Sequence, residues 1–236
     1  MNTVAKVMAA LKRKGNPQRI QAFAAHGGPP DLYGVSVADM KVIAKQIKAE
    51  HELACALYET GNSDAMYLAG MVADGSLMTK RLLNTWARNA SWSMISEYTV
   101  PGVATESKHA RALAMQWIKA KKESVASCGW NTYSGLVAVT ADEDLDLAEI
   151  KALLKQIERD IDSAPNRVRY TMNGFVIAVG SYVLPLSSHA KATAKRLGKV
   201  EVDMNGTSCK VPLATAYIDK VEKKGRAGKK RKTIKC

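Results

Sequence analysis

The sequence predicts an all-α protein, an α-α superhelix (solenoid) built from consecutive helical pairs, and three observations carry that prediction. Apolar residues recur at three- and four-residue intervals through most of the chain. Clusters of Gly, Pro, Asn and Ser interrupt this pattern at short intervals, while little strand signal precedes residue 199. The helices so delimited are short and follow one another through short loops, which suits a solenoid better than a four-helix bundle. The repeat is structural, since the sequence shows no convincing self-similarity.

Taken in order, residues 4–14 place Val4, Val7, Met8 and Leu11 at helical spacing. Gly15 and Asn16 end that helix, and Pro17 suits the first turn of the next. Residues 26–34, rich in Gly and Pro, form a loop. Ser36 then caps a helix whose apolar stripe is Val37, Met40, Ile43, Ala44 and Ile47. Residues 52–60 make a helix closed by Gly61 and Asn62, and residues 64–73 make another that is rich in small side chains. Helices over 78–89 and 92–98 follow. Pro101 and Gly102 are expected to break the pattern, which restarts over 106–122 with Ala110, Leu113, Ala114 and Trp117 inward. Residues 123–139, 146–161 and 166–183 complete the main series. Residues 199–204 alternate like a short strand, but Gly206 and Pro212 favour an irregular lobe ahead of a last helix over 214–222. The expected organisation is therefore a helical-repeat domain over 1–198, an irregular lobe and helix over 199–222, and a mobile basic tail over 223–236.

At 236 residues the chain can bury a sizeable core as one large domain. Its longest apolar runs are too short to cross a membrane, and no signal-peptide pattern opens it, so a cytoplasmic monomer is expected. Cys55, Cys128, Cys209 and Cys236 are scattered without a CxxC pair, which argues against structural zinc and a disulfide framework. No metal or other cofactor is expected. The net charge of +13 is the strongest compositional signal, and residues 219–236 alone hold nine Lys or Arg against two acids. Such a surface attracts polyanions, above all nucleic acid. Within the tail, Lys229, Lys230, Arg231 and Lys232 form the densest run and are expected to touch phosphates non-specifically.

Residues 85–98 hold two tryptophans, Trp86 and Trp92, around a helix break. Ser91 can accept from the first free amides of a new helix, with Trp92 on its first turn. An aromatic face there, beside Arg88, could meet a base, a sugar or a phosphate. Equally, Trp92 could plug the joint between two helices.

Four segments carry a family resemblance. They are Leu-Tyr-Gly-Val-Ser-Val-Ala-Asp-Met-Lys-Val-Ile-Ala-Lys over 32–45, and Leu-Tyr-Glu-Thr-Gly-Asn-Ser-Asp-Ala-Met-Tyr-Leu-Ala over 57–69. Ser-Trp-Ser-Met-Ile-Ser-Glu over 91–97 and Val-Arg-Tyr-Thr-Met-Asn-Gly-Phe-Val-Ile-Ala-Val-Gly over 168–180 complete them. In order and spacing they resemble the DNA alkylation repair family across roughly residues 30–184. The resemblance implies HEAT-like helical repeats with a concave, basic face for double-stranded DNA, alkylated in the case of active members. Those members excise cationic N3- and N7-alkylated purines. A carboxylate near the sugar and tryptophan faces around it would stabilise the developing cation.

Residue by residue, the match to the family's site is incomplete. Its first tryptophan corresponds to Trp92, its catalytic aspartate to Ser96, its arginine to Ala126 or Ser127, and its second tryptophan to Gly174. Glu97 neighbours Ser96, but one step along an α-helix turns it by about 100°. It could reach the site only if the helix were shifted. Asn131 and Asn173 lie inside apolar helical patterns, where asparagine is a poor helix former, and Arg169 is a candidate phosphate contact. Trp92 and Glu97 are thus the candidate catalytic residues. Arg88, Asn131, Arg169, Asn173 and the tail cluster are the candidate nucleic-acid contacts. The expected function is a DNA-binding protein without the usual catalytic carboxylate. Two alternatives stay open, an active alkylpurine glycosylase with a rearranged site and a non-enzymatic module for RNA or protein.

Overall fold

Capping side chains fix many of the helix starts. Thr3, Asn16, Asn62, Thr79 and Asp146 each accept a backbone N–H from three residues ahead, which satisfies donors that a first helical turn leaves free. The computed structural model describes residues 3–47 and 50–235. Its first seven helices are α1 (Val4–Arg13), α2 (Pro17–Ala25), α3 (Val37–Ile47), α4 (His51–Glu59), α5 (Ser63–Val72), α6 (Lys80–Asn89) and α7 (Val100–Thr105). Six more follow, α8 (Ala110–Ile118), α9 (Glu123–Val139), α10 (Leu147–Asp160), α11 (Asn166–Tyr182), α12 (Ser187–Leu197) and α13 (Ala214–Lys223). No strand occurs among the described residues, so the alternation over 199–204 yields extended chain without a ladder. None of these helices is long and apolar enough to cross a membrane.

The helices pack in two rows. One row runs α5, α7, α9, α11 and α13, each against the next, with the turn before α7 packed on both α5 and α9. Across from it α4 pairs with α5, α6 with α7, α8 with α9, and α10 and α12 with α11. Apolar residues form two clusters that meet at α8 and α9. The first contains Trp86, Trp92 and Trp117, and the second contains Trp130, Tyr133 and Phe175. Trp86 stacks on Tyr58 with ring centroids 3.8 Å apart, and the Tyr58 hydroxyl donates to the Trp86 carbonyl at 2.8 Å.

Three local expectations are corrected. Pro101 and Gly102 do not break a helix, because Pro101 falls in the first turn of α7, where proline's missing N–H and fixed φ are tolerated. Trp92 lies just before its helix rather than on the first turn, and its carbonyl accepts from Ile95 and Ser96 at 2.9 Å each. The helix α12 arises in a stretch with a weak apolar signal, since the face it buries is Ala190, Thr193 and Ala194.

The mobile tail expected over 223–236 is also corrected. Cys236 lies outside the described residues, but residues 226–235 run as a strap across the C-terminal ends of one helical row. The Gly228 N–H donates to Ser181 of α11 at 2.9 Å, and the Arg231 N–H to Ala138 of α9 at 2.7 Å. Lys230 donates from Nζ to the Val137 carbonyl at 2.9 Å and pairs with Asp142 at 2.8 Å. Lys235 donates to the Ala73 carbonyl beyond α5 at 2.6 Å and pairs with Glu106 after α7 at 2.5 Å. Helix C-termini leave carbonyls unpaired and carry the negative end of the dipole, so ammonium groups suit them. Ile234 packs on α9 at Gly135, where a Cβ would fall 2.5 Å from the isoleucine methyl.

Candidate nucleic-acid interface

The sequence around Trp92 folds into an uncommon local form. Ile95–Thr99 make a π-turn, in which the Val100 N–H reaches back five residues to the Ile95 carbonyl. A π-turn holds one residue more than an α-turn. The position that faces Trp92 from the next turn therefore moves from Ser96 to Glu97. Ser96 is buried, and the Glu97 side chain is 0% exposed.

Glu97 is held by Arg167, from the first turn of α11. The guanidinium grips both carboxylate oxygens, with Nε to Oε1 at 2.7 Å and Nη2 to Oε2 at 2.5 Å. It also lies over the Tyr170 ring, 4.3 Å from the centroid. The Arg167 backbone N–H donates to Glu123 at 2.7 Å, which fixes the start of α11 against that of α9. Burial pushes the Glu97 carboxyl above its ordinary value, and the bonds and charge of Arg167 offset part of that rise. Burial likewise pulls the Arg167 guanidinium down, but its bonds to Glu97 outweigh this and the net direction is up. The pair is thus a mutually neutralised unit.

Two concavities flank this pair and share Tyr98. The first, a cleft of about 380 Å³, is lined by Phe23, Trp92, Met94, Arg167, Tyr170 and Lys210, among others. Residues near both ends of the chain enclose it. The loop after α2 is anchored by the buried Asp64 carboxylate, which accepts from the N–H groups of Tyr33, Gly34 and Val35. The irregular lobe is anchored by Asn166, which exchanges two hydrogen bonds with Asp203 at 2.9 and 2.7 Å. The second concavity is a groove of about 340 Å³ over α7, α9 and α11, reached also by Tyr217 of α13 and by Arg231 and Ile234 of the strap.

The candidate residues are dispersed over these features. Trp92 is 6% exposed, donates its indole N–H to the His26 carbonyl at 3.0 Å and lies 5.3 Å from the Phe23 ring. It joins the loop after α2 to the core and shows the cleft only an edge. Asn131 donates to the Glu97 carbonyl at 2.7 Å and lines the groove. Asn173 is buried and donates to the Pro212 carbonyl at 2.9 Å, so it anchors the lobe. Arg88 is exposed in a separate concavity with Lys121 and Lys122. Arg169 is half-buried, its Nε enclosed without a hydrogen-bond partner, and it lines neither the cleft nor the groove. Of the tail cluster, Lys230 caps α9, Arg231 lines the groove, and Lys229 and Lys232 are exposed.

Sequence reasoning passed over Arg167, Tyr170, Tyr98 and Tyr217. The signal for Arg167 was its spacing of three from Tyr170 at a helix start, which stacks the two side chains on one face.

A superhelix of helical pairs with a cleft between its two ends is the architecture of a known repair fold. The family model for the DNA alkylation repair enzyme matches residues 7–190, and the chain belongs to that family. Two curated relatives match at similar strength. The uncharacterized protein Lin0241 of Listeria innocua is 34% identical over 226 residues, 93% of this chain and 97% of that one. The uncharacterized protein Lmo0209 of Listeria monocytogenes is 33% identical over the same shares of both chains. Among solved structures, one described as a new family of proteins related to the HEAT-like repeat DNA glycosylases, with affinity for branched DNA structures, superimposes with a TM-score of 0.91. It is 33% identical, and the match covers 99% of this chain and 100% of that one. The fold is accordingly an all-α, HEAT-like repeat.

Proposed function

We propose that this chain binds DNA through the cleft and groove, prefers branched structures, and does not excise alkylated bases. The observation that carries the second half is the Glu97–Arg167 pair. Excision of a cationic purine gains most from an unbalanced negative charge beside the sugar, where positive charge develops. A carboxylate with no solvent exposure, gripped at both oxygens by a guanidinium, offers almost no net field there. Gly174 also leaves the groove without the aromatic wall of the active members. The first half is supported by the net charge of +13, by Arg167, Lys210 and Arg231 along the two concavities, and by the 33% identical structure described as having affinity for branched DNA. Two adjoining openings suit a backbone that bends or divides better than one straight duplex.

The test measures binding and chemistry on one preparation. Anisotropy titrations against a four-way junction, a fork and a straight duplex of equal length should rank the junction first, with affinity falling steeply as salt rises. Single-turnover incubation with 7-methylguanine duplex should release no base. Equal affinity for all three DNAs would remove the branched preference, and robust base release would remove the non-excising claim. One observation favours a working glycosylase, the π-turn that returns Glu97 to the register facing Trp92. Base release abolished by Glu97→Gln would establish that alternative.

A further inference from the structure

We infer that the groove over α7, α9 and α11 is a receptor for one unpaired nucleotide of a DNA branch, an inference that rests on the DNA-binding reading above. Tyr98 and Tyr217 are the two aromatic side chains among the large exposed hydrophobics of the described residues, at 47% and 48% exposure. Both line this groove, one from the π-turn and the other from α13. Aromatic rings left in solvent around a concavity are platforms on which an unstacked base can lie.

The floor is built for close approach. It consists of Gly135, Ala138, Gly174 and Ala178, and a Cβ added at Gly174 would meet nothing nearer than the Asn131 side-chain oxygen at 3.9 Å. The space opposite Gly174 is therefore real. About 340 Å³ accommodates one nucleobase with its sugar but not a stacked base pair with both backbones.

Polar groups with spare capacity surround that space. Asn131 uses its amide N–H on the Glu97 carbonyl, which turns its oxygen toward Gly174 as an acceptor. Ser181, 2% exposed, lines the groove with a hydroxyl that has no hydrogen-bond partner. A buried hydroxyl left without a partner is costly, and a ligand atom would relieve it. Arg231 enters from the strap as an exposed cation at the rim, placed to meet a phosphate flanking the base. Stacking surface, an acceptor and a hydroxyl for a base edge, and a cation for the backbone together match a nucleotide. A fully paired duplex presents no free base face to them.

The experiment compares three DNAs with the full chain, a three-way junction with every base paired, the same junction with one unpaired nucleotide at the branch, and a straight duplex. Wild type should bind the unpaired-nucleotide junction roughly tenfold more tightly than the paired one, the lower range of what one stacked base contributes. 2-Aminopurine at the unpaired position should be quenched on binding. Gly174→Leu, which fills the groove from an unstrained position, and Tyr217→Ala, which removes an exposed platform, should each erase that preference. Affinity for the paired junction should stay unchanged in both, and thermal unfolding should verify that each variant folds. Equal binding to both junctions, or variants that keep the preference, would overturn the nucleotide receptor while leaving the DNA-binding reading standing. Absence of binding to all three DNAs would overturn both.

Discussion

Arg167→Ala tests the neutralised pair directly. Glu97 is wholly buried and Arg167 has 24% of its side chain exposed, so removal of the guanidinium strands a carboxylate that solvent cannot reach. Breaking one partner of a buried pair costs about 3–5 kcal/mol, and the partial exposure of Arg167 argues for the lower part of that range. Loss of the contact with Tyr170 adds about 0.5–1 kcal/mol. The deficit at pH 7.5 should therefore be about 3–4 kcal/mol. Its pH dependence has a definite sign. Burial already pushes the Glu97 carboxyl above its ordinary value, and without Arg167 the folded value rises further. A carboxyl raised in the fold contributes stability below its unfolded value, and that stability is lost as pH rises through the folded value. The deficit of Arg167→Ala should accordingly shrink between pH 7.5 and pH 5. Urea unfolding, followed by fluorescence of the four buried tryptophans, reads both quantities. The double variant Glu97→Gln, Arg167→Gln should recover most of the loss, because no lone charge remains buried. A deficit below about 1 kcal/mol, or one equal at both pH values, would refute the enclosed ion pair.

Trp92→Ala should cost about 3–5 kcal/mol, as a buried aromatic does, and should loosen the loop after α2. Wild-type stability with weakened DNA binding would instead make Trp92 a cleft residue. Ending the chain at Gly225 should lower stability and expose the C-terminal ends of α5 and α9 to hydrogen exchange, since each lost hydrogen bond is worth about 0.5–1.5 kcal/mol. An unchanged melting temperature would mean the strap is not bound. Two glycines should respond in opposite directions. Gly174→Ala, with open space at Cβ, should stabilise α11 by about 0.5–1 kcal/mol. Gly129→Ala should destabilise, because its Cβ would sit 2.4 Å from the Ile118 backbone nitrogen. Equal effects in thermal melts would refute that packing.

Helix placement was legible wherever a cap and an apolar stripe coincided. Asn16 with Pro17, Ser36 before α3, and Gly61 with Asn62 all punctuate the chain as their side chains and backbone preferences dictate. Legibility failed where burial uses small residues, as in α12, and where charge has a local partner. Lys230 and Lys235 look like a polyanion tail in one dimension. Their targets, the last carbonyls of α9 and α5, lie 93 and 162 residues away in the chain. No periodicity records a cation that caps a distant helix.

The site was harder to read for one specific reason, the register change at Ile95–Thr99. Spacing assumes 3.6 residues per turn, and on that assumption Ser96 faces Trp92 and Glu97 does not. A π-turn inserts one residue and exchanges their places. Local sequence favours the insertion only weakly; long-range contacts hold it. Asn131 of α9 donates to the Glu97 carbonyl, and Arg167 of α11 pulls the Glu97 side chain inward from 70 residues away. The same contacts that bring a carboxylate to the facing register also cancel its charge. A substitution at Arg167 therefore acts on the π-turn, on the charge at the site and on the start of α11 together. Excision chemistry, if it were to arise in such a chain, would need Glu97 released from Arg167 and not merely a carboxylate placed at Ser96.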